Sequence, residues 1–321
     1  MGGGIIGGPL SLRGEVLTIA GTPGTASTAP GQFAGPWGIT TDGLALYVTD
    51  RTAHDIRRVD LHSGTVVPFA GLAETTGSAD GVGTAARFER PTGITTDGES
   101  LFVVDTLAQT IRKVALDGTV TTLAGLAGTT GTADGVGNAA RFNNPADITT
   151  DGTFLYVCDE SSGPVRKISI ADGVVSTIAG GGAATGDEDS AGLAVHFFDP
   201  AGITTDGESL YVTEYFGNRV RRIVLATGRV STIVPGSAGL DGPLGIATDG
   251  ARLYIADRLL NLIRQYDLGT GALTLLAGGG SGLFADGMGA AAAFNSPSGI
   301  TSDGRSLFVA DSGNFVIRQI Q

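Results

Sequence analysis

"SADGVGTAARFERPTGITTDGESLFVVDTLAQTIRKV" runs from Ser78 to Val114, and "TADGVGNAARFNNPADITTDGTFLYVCDESSGPVRKI" runs from Thr132 to Ile168. The chain gives nearly the same segment twice, in the same order and without a gap. Self-similarity at a fixed period marks a repeat architecture. Working outward, the unit recurs on Pro36, Pro91, Pro145, Pro200, Pro243 and Pro297, about 54 residues apart and once only about 43. Three residues after the proline stands Ile39, Ile94, Ile148, Ile203, Ile246 or Ile300. Six after it stands Asp42, Asp97, Asp151, Asp206, Asp249 or Asp303, each followed by Gly. Fourteen after comes an acid: Asp50, Asp105, Asp159, Glu214, Asp257 or Asp311. Twenty-one after comes Arg57, Arg112, Arg166, Arg221, Arg264 or Arg318.

Each unit reads as four short strands. Gly93-Ile94-Thr95-Thr96 leads into an Asp-Gly turn, a strong short-range hairpin signal. The apolar run Leu101-Phe102-Val103-Val104 follows, then a polar loop, then Ile111-Arg112-Lys113-Val114 and Val120-Thr121-Thr122-Leu123-Ala124. Four strands per unit, six units over, predict an all-β, six-bladed β-propeller with four antiparallel strands per blade. The sixth unit stops at Gln321 without a fourth strand, whereas Glu15-Val16-Leu17-Thr18-Ile19-Ala20-Gly21 matches the fourth-strand run Val174–Gly180. The N-terminal strand, 14–21, is therefore expected to complete blade 6. Residues 14–321 form one domain on this reading, and 1–13 a Gly-rich tether.

The pattern P-x-G-I-x-x-D-G, L-Y-V-x-D and N-x-[IV]-R-x-I, clear in Pro200 to Ile223 and Pro297 to Ile320, resembles the NHL repeat over nearly the whole chain. That resemblance implies the propeller and leaves activity open, because the family includes lyases, RNA-binding modules and extracellular interaction domains. Its amidating lyases use a His-coordinated metal in the central cavity. Here His54 and His196 fall on one face but three blades apart, and His62 on the other, so no catalytic metal is expected.

The net charge of −12 opposes binding to nucleic acid, and no apolar run is long enough for a membrane span. The lone Cys158, inside an apolar run, reads as a small buried hydrophobe. Residues 1–13 lack a basic n-region. They read as what is left beside an export or anchor segment outside this chain, which gives an extracytoplasmic expectation: periplasmic, cell-surface or secreted, in a bacterium, as one domain or subunit of a larger exported assembly.

Residues present in all six units cannot be a single site, so the strand-end acid and the Arg are read as a structural pair. The connectors carry Asp80, Asp134, Asp189 and Asp286 in Asp-Gly-x-Gly, and Phe33, Phe88, Phe142, Phe197 and Phe294 three before the proline. The phenylalanines are expected to plug neighbouring blades. The acidic Asp187-Glu188-Asp189 is the one loop rich enough in oxygen to raise calcium, and a solvated loop is the favoured reading. No other cofactor is expected.

Function is sought where the units disagree. Two after the proline stands Gly in five units and Asp147 in the third; one after it, Trp37 stands in the first. Glu214 is the one Glu of its column, and Tyr215-Phe216 follow it. With His196, these residues project from the face that carries the long loops, and they are the expected binding set for a protein, glycan or small-molecule ligand. The expectation is a non-enzymatic interaction module. The alternative is a small-molecule lyase or hydrolase at the channel mouth, with Asp147 and Glu214 as its acid and base.

Overall fold

The computed structural model describes residues 9–161, 163–181, 189, 190, 192–280 and 282–321. Six small antiparallel sheets stand around a central axis, and the inner strands of successive blades touch in a closed ring that returns from the sixth to the first. Blade 2 shows the plan: Pro91–Thr96 innermost, then Ser100–Asp105, Thr110–Ala115 and Thr119–Ala124 outermost. The inner strands of the other blades are Pro36–Thr41, Pro145–Thr150, Pro200–Thr205, Pro243–Thr248 and Pro297–Ser302.

The second strand of a blade is buried along its whole length in four blades, as in Ala45–Asp50 and Ser209–Glu214, and in all but its first residue in the other two. It lies between neighbouring sheets on both faces, which is why its sequence is a continuous apolar run rather than an alternation. The core is accordingly divided into wedges between blades. Ile39, Val48 and Val59 of blade 1, for example, pack with Phe308, Ala310 and Ile317 of blade 6.

The ring closes as the repeat frame requires. Glu15–Gly21 pairs antiparallel with Val316–Ile320, Val16 opposite Ile320 and Gly21 opposite Val316. The seam continues where the Arg13 and Gly14 N–H groups donate to the Gln321 carbonyl, both at 2.8 Å. Part of the stretch read as a tether also lies against the ring. Leu10 is buried, its N–H donates to Asp249 Oδ2 at 2.9 Å, and its carbonyl accepts from Arg252 at 2.9 Å.

The repeated residues explain themselves in the turns. In each Asp-Gly hairpin one carboxylate oxygen accepts the next two free N–H groups, Glu99 and Ser100 on Asp97 at 2.8 Å each. The other oxygen takes a tyrosine hydroxyl where one is present, as Tyr211 on Asp206 at 2.7 Å.

Candidate functional site

The strand-end acid and the Arg seven residues on form the expected pair, and they do so buried: Arg112 to Asp105 at 3.1 Å, Arg166 to Asp159 at 3.4 Å, Arg318 to Asp311 at 2.8 Å. Each pair also reaches into its connector. Asp105 Oδ1 accepts the Glu89 N–H at 2.6 Å, and Arg112 donates to Asp80 at 2.7 Å. Asp80 in turn accepts the Thr122 N–H and hydroxyl from the outer strand. Asp134 and Asp189 repeat this arrangement with Thr177 and Thr232, and Asp286 accepts the hydroxyl of Thr18. The Asp-Gly-x-Gly carboxylates are thus spent on a clamp. Of the residues weighed for calcium, Asp189 belongs to the clamp, and Asp187 and Glu188 lie outside the described residues.

The phenylalanines complete the clamp. Phe88, Phe142, Phe197 and Phe294 are buried, with the guanidinium of Arg112, Arg166, Arg221 or Arg318 5.0–5.5 Å from the ring centre. A second repeated device emerges in the loops between second and third strands. His54, Gln109, Asn218 and Asn261 adopt left-handed backbone (φ 51–62°), and their side chains accept the N–H of Arg90, Asn144, Gly242 and Ser296. His54 is one version of this latch.

The departures from the repeat collect elsewhere. At the long-loop end of the channel is a cavity of about 330 Å³ whose lining includes Trp37, Asp147, Tyr215 and Phe216. Four of the six expected residues therefore meet. The other two do not. Glu214 is buried under the loops, held by Arg221 at 3.2 Å and by Arg219, and its single extra methylene serves that pairing. It lies outside the lining of the mouth. His196 sits in its connector near Gly163, away from the cavity, and is no part of the mouth.

Trp37 is also used differently from the exposed anchor its column suggests. It is half-buried, and the guanidiniums of Arg51 and Arg258 lie over its indole at 3.9 and 4.7 Å. The ring holds two cations in place at the mouth. Arg258 is fixed further by donating to the Ser296 carbonyl at 2.7 Å. The free aromatic surface lies across the opening on blade 4, where Phe216 (67% exposed) packs edge-on to Tyr215 and 6.1 Å from Phe198 (53% exposed).

Three acids complete the cavity. Asp147 takes the place of glycine where the inner strands pack so closely that a Cβ on Gly38 or Gly202 would meet a carbonyl of the next blade at 2.1 or 2.0 Å. Its Oδ2 accepts the Ile203 N–H of blade 4 at 3.0 Å. Burial pushes its carboxyl up to about 6, the Ile203 and Ile148 N–H groups opposing. Glu160 and Asp199 interact at the seam of blades 3 and 4. Burial first, and Asp199 second, push Glu160 up to about 7 against the pull of Arg90. Burial likewise raises Asp199. A carboxyl that keeps its proton near neutrality can donate as well as accept. Cys158, below, is fully buried, and its thiol is pushed well up by burial.

Sequence reasoning passed over Arg51, Arg90, Glu160, Asp199 and Arg258. Glu160 was legible as the one acid directly after the strand-end acid, and Asp199 as the one acid directly before a repeat proline. Arg51, Glu160, Tyr215 and Arg258 share one column, fifteen after their prolines, and Arg90 and Asp199 share another, directly before theirs; the ring brings the copies together around the mouth. Among the described residues no group of three His, Cys, Asp or Glu is arranged to hold a metal ion.

No family model matches the chain. It is similar to the bovine (Bos taurus) NHL repeat-containing protein 2, at 29% identity over 205 residues, 58% of this chain. The matched part spans 28% of that protein's length. Among solved structures it is similar to virginiamycin B lyase from Staphylococcus aureus (TM-score 0.58, 16% identity, 96% of this chain and 98% of the other). It is similar also to a gluconolactonase from Xanthomonas campestris (TM-score 0.62, 13% identity, 95% and 88%). At such identities the two structures speak for the fold alone. The curated relative, the spacing of the six units and the closed ring agree: this chain is an NHL-repeat β-propeller.

Proposed function

We propose that the protein is a ligand-binding module whose recognition site is the channel mouth on the long-loop face. One observation carries the reading. The residues in which the six units differ most, Trp37, Asp147, Glu160, Asp199 and Tyr215-Phe216, line one concave opening, while the repeated polar residues are consumed in clamps and latches. A cavity that joins an aromatic rim to a few convergent charges is what ligand sites use.

Trp37 is the chain's single tryptophan and lies in the cavity, so its emission reports on the mouth. A small-molecule library scanned by that emission should yield ligands with a saturable signal. Arg51→Gln and Tyr215→Ala should each weaken those ligands at least tenfold, a change of about 1.4 kcal/mol, with little change in melting. His62→Ala, on the opposite face, should leave them alone. Ligands that bind but ignore both mouth variants would overturn the reading.

The Glu160–Asp199 pair favours one second reading, a small-molecule lyase or hydrolase in which a carboxyl poised near pH 7 moves a proton. The acid–base role then passes from Glu214 to Glu160. Ligands recovered chemically unchanged after incubation support binding alone; a product whose formation stops in Glu160→Gln would favour the enzyme.

A further inference from the structure

Charge in the mouth is sorted by position around the ring. Blade contacts run 1-2-3-4-5-6 and back to 1, so blade 4 stands opposite blade 1, and blade 3 opposite blade 6. Arg51 rises from blade 1 and Arg258 from blade 5, and Trp37 gathers both guanidiniums beside blade 6. Glu160 and Asp199 meet across the opening, at the seam of blades 3 and 4, with Asp147 beneath them on the inner strand of blade 3. Among the described residues, Arg51 has no carboxylate within ion-pair distance, and Glu160 and Asp199 have no Lys, Arg or His within it. Arg90, from the connector before blade 2, also lines the mouth and acts on Glu160, but it offsets only part of the cost of burying the carboxyl. The mouth is therefore cationic on one wall and anionic on the other. The aromatic surface of Tyr215 and Phe216 lies between the acid pair and blade 5.

Such a cavity is poorly matched to a ligand of one sign. A simple anion would sit on Arg51 and face the acid pair; a simple cation would do the reverse. Like charges juxtaposed across a partly dry site cost several kcal/mol. We infer that the mouth takes a small zwitterion, with a carboxylate on the Arg51–Arg258 wall and an ammonium on the Glu160–Asp199 wall. An apolar or aromatic body would lie against the aromatic rim of Tyr215 and Phe216. The cavity of about 330 Å³ holds roughly a dozen non-hydrogen atoms at the density of water. That is the size of a free amino acid or a short unblocked peptide. Because the charged walls stand on opposite blades, a dipeptide, whose charges are further apart, fits better than an amino acid.

This inference rests on the mouth being the binding site, and the experiment separates the two. The full chain is titrated with the dipeptide Ala-Val, which is close to free phenylalanine in size, its N-acetyl form, its C-terminal amide, the doubly blocked compound and free phenylalanine. Trp37 emission and calorimetry are the readouts. The unblocked dipeptide should bind at least tenfold tighter than either singly blocked form, and tighter than phenylalanine. Arg51→Gln should abolish the preference for a free carboxylate while keeping that for a free amine, and Glu160→Gln should do the converse. If the acetylated peptide binds as well as the unblocked one and still responds to Arg51→Gln, the zwitterion is overturned and the mouth stands. If the unblocked peptide binds but neither variant alters it, both fail. If no member of the set binds at about 1 mM to protein that melts normally, the zwitterion is overturned, and the library scan judges the mouth.

Discussion

In the clamp of blade 2, Arg112 reaches Asp105 at 3.1 Å and Asp80 at 2.7 Å; at the channel mouth, Arg51 stacks on Trp37 with no acid of the described residues in reach, while Glu160 and Asp199 lean on each other. The residue types are the same and the face is the same. In the clamp, one repeat supplies both charges at a fixed separation along two adjacent strands, so the pair closes within its own blade. At the mouth, the charges come from different blades, and the ring holds them apart. Pairs that a repeat makes for itself end as scaffold, and charges that the ring keeps from pairing are left to meet something else.

Arg112→Ala gives the largest effect that would test this division. It leaves Asp105 buried without its cation, unties Asp80 and the outer strand, and removes the guanidinium over Phe88. Breaking a buried pair by removing one partner costs about 3–5 kcal/mol, and chemical denaturation should show a loss of that order. Arg264→Ala in blade 5 should cost less. Its connector is the short one, Leu240 stands in place of Phe, and Arg264 lies 3.9 Å from Asp257. Arg51→Ala at the mouth should stay within about 1 kcal/mol. Equal losses at Arg112 and Arg51 would break the division.

The fold was legible because every blade must solve the same packing problem, so its solution is written six times. Ile94 and its counterparts, the Asp-Gly turn and the Arg column each name a contact within a blade or across one seam. Ring closure was legible for the same reason, since Glu15–Gly21 is a fourth strand in search of three others. The mouth was legible only in part. Asp147 stands out because its column is otherwise glycine, and Trp37, Tyr215 and Phe216 because each is the one aromatic residue of a mixed column. Glu214 stood out equally and lies outside the cavity, because a departure can answer a neighbouring departure: Glu214 reaches Arg219, nineteen after its proline, as well as Arg221 of the Arg column. Asp199 and Arg90 are the one acid and the one base of a column with no consensus, so each charge was visible but had no uniform background to depart from. That Arg51 and Arg258 share one indole depends on ring curvature, which no column records.

A smaller effect sharpens the contrast through pH. Burial and Asp199 raise Glu160 from its ordinary 4.5 to about 7 in the folded chain. A carboxyl raised on folding favours the fold fully below its unfolded pKa, and that contribution is lost as pH rises through the folded value. Wild-type stability should therefore decline between about pH 5 and 8 relative to Glu160→Gln, which has no proton to lose. Partial exposure of the site screens the effect, so the difference should be about 1–2 kcal/mol. Melting of both proteins across that range checks it. A constant difference would mean that Glu160 is already ionised across that range.

The smallest effect belongs to Asp147→Gly, which restores the residue found at this position in the other five units. Two losses and one gain oppose one another. The Ile203 N–H loses its acceptor at 3.0 Å, and glycine in a strand costs about 0.5–1 kcal/mol in chain entropy. Against these, a carboxylate that burial pushes up to about 6 is removed from the channel. The net change should fall within about 1 kcal/mol, with a sign that depends on pH. Below pH 5 the wild-type carboxyl is protonated and little is gained, so the variant should be the less stable. Above pH 7 the wild type carries an ionised group that the fold disfavours, and the variant should draw level or pass it. Paired melts at pH 5 and 8 decide the matter. A loss of several kcal/mol at both would mean that Asp147 ties blade 3 to blade 4 as Arg112 ties its connector, so that this departure from the repeat belongs with the scaffold.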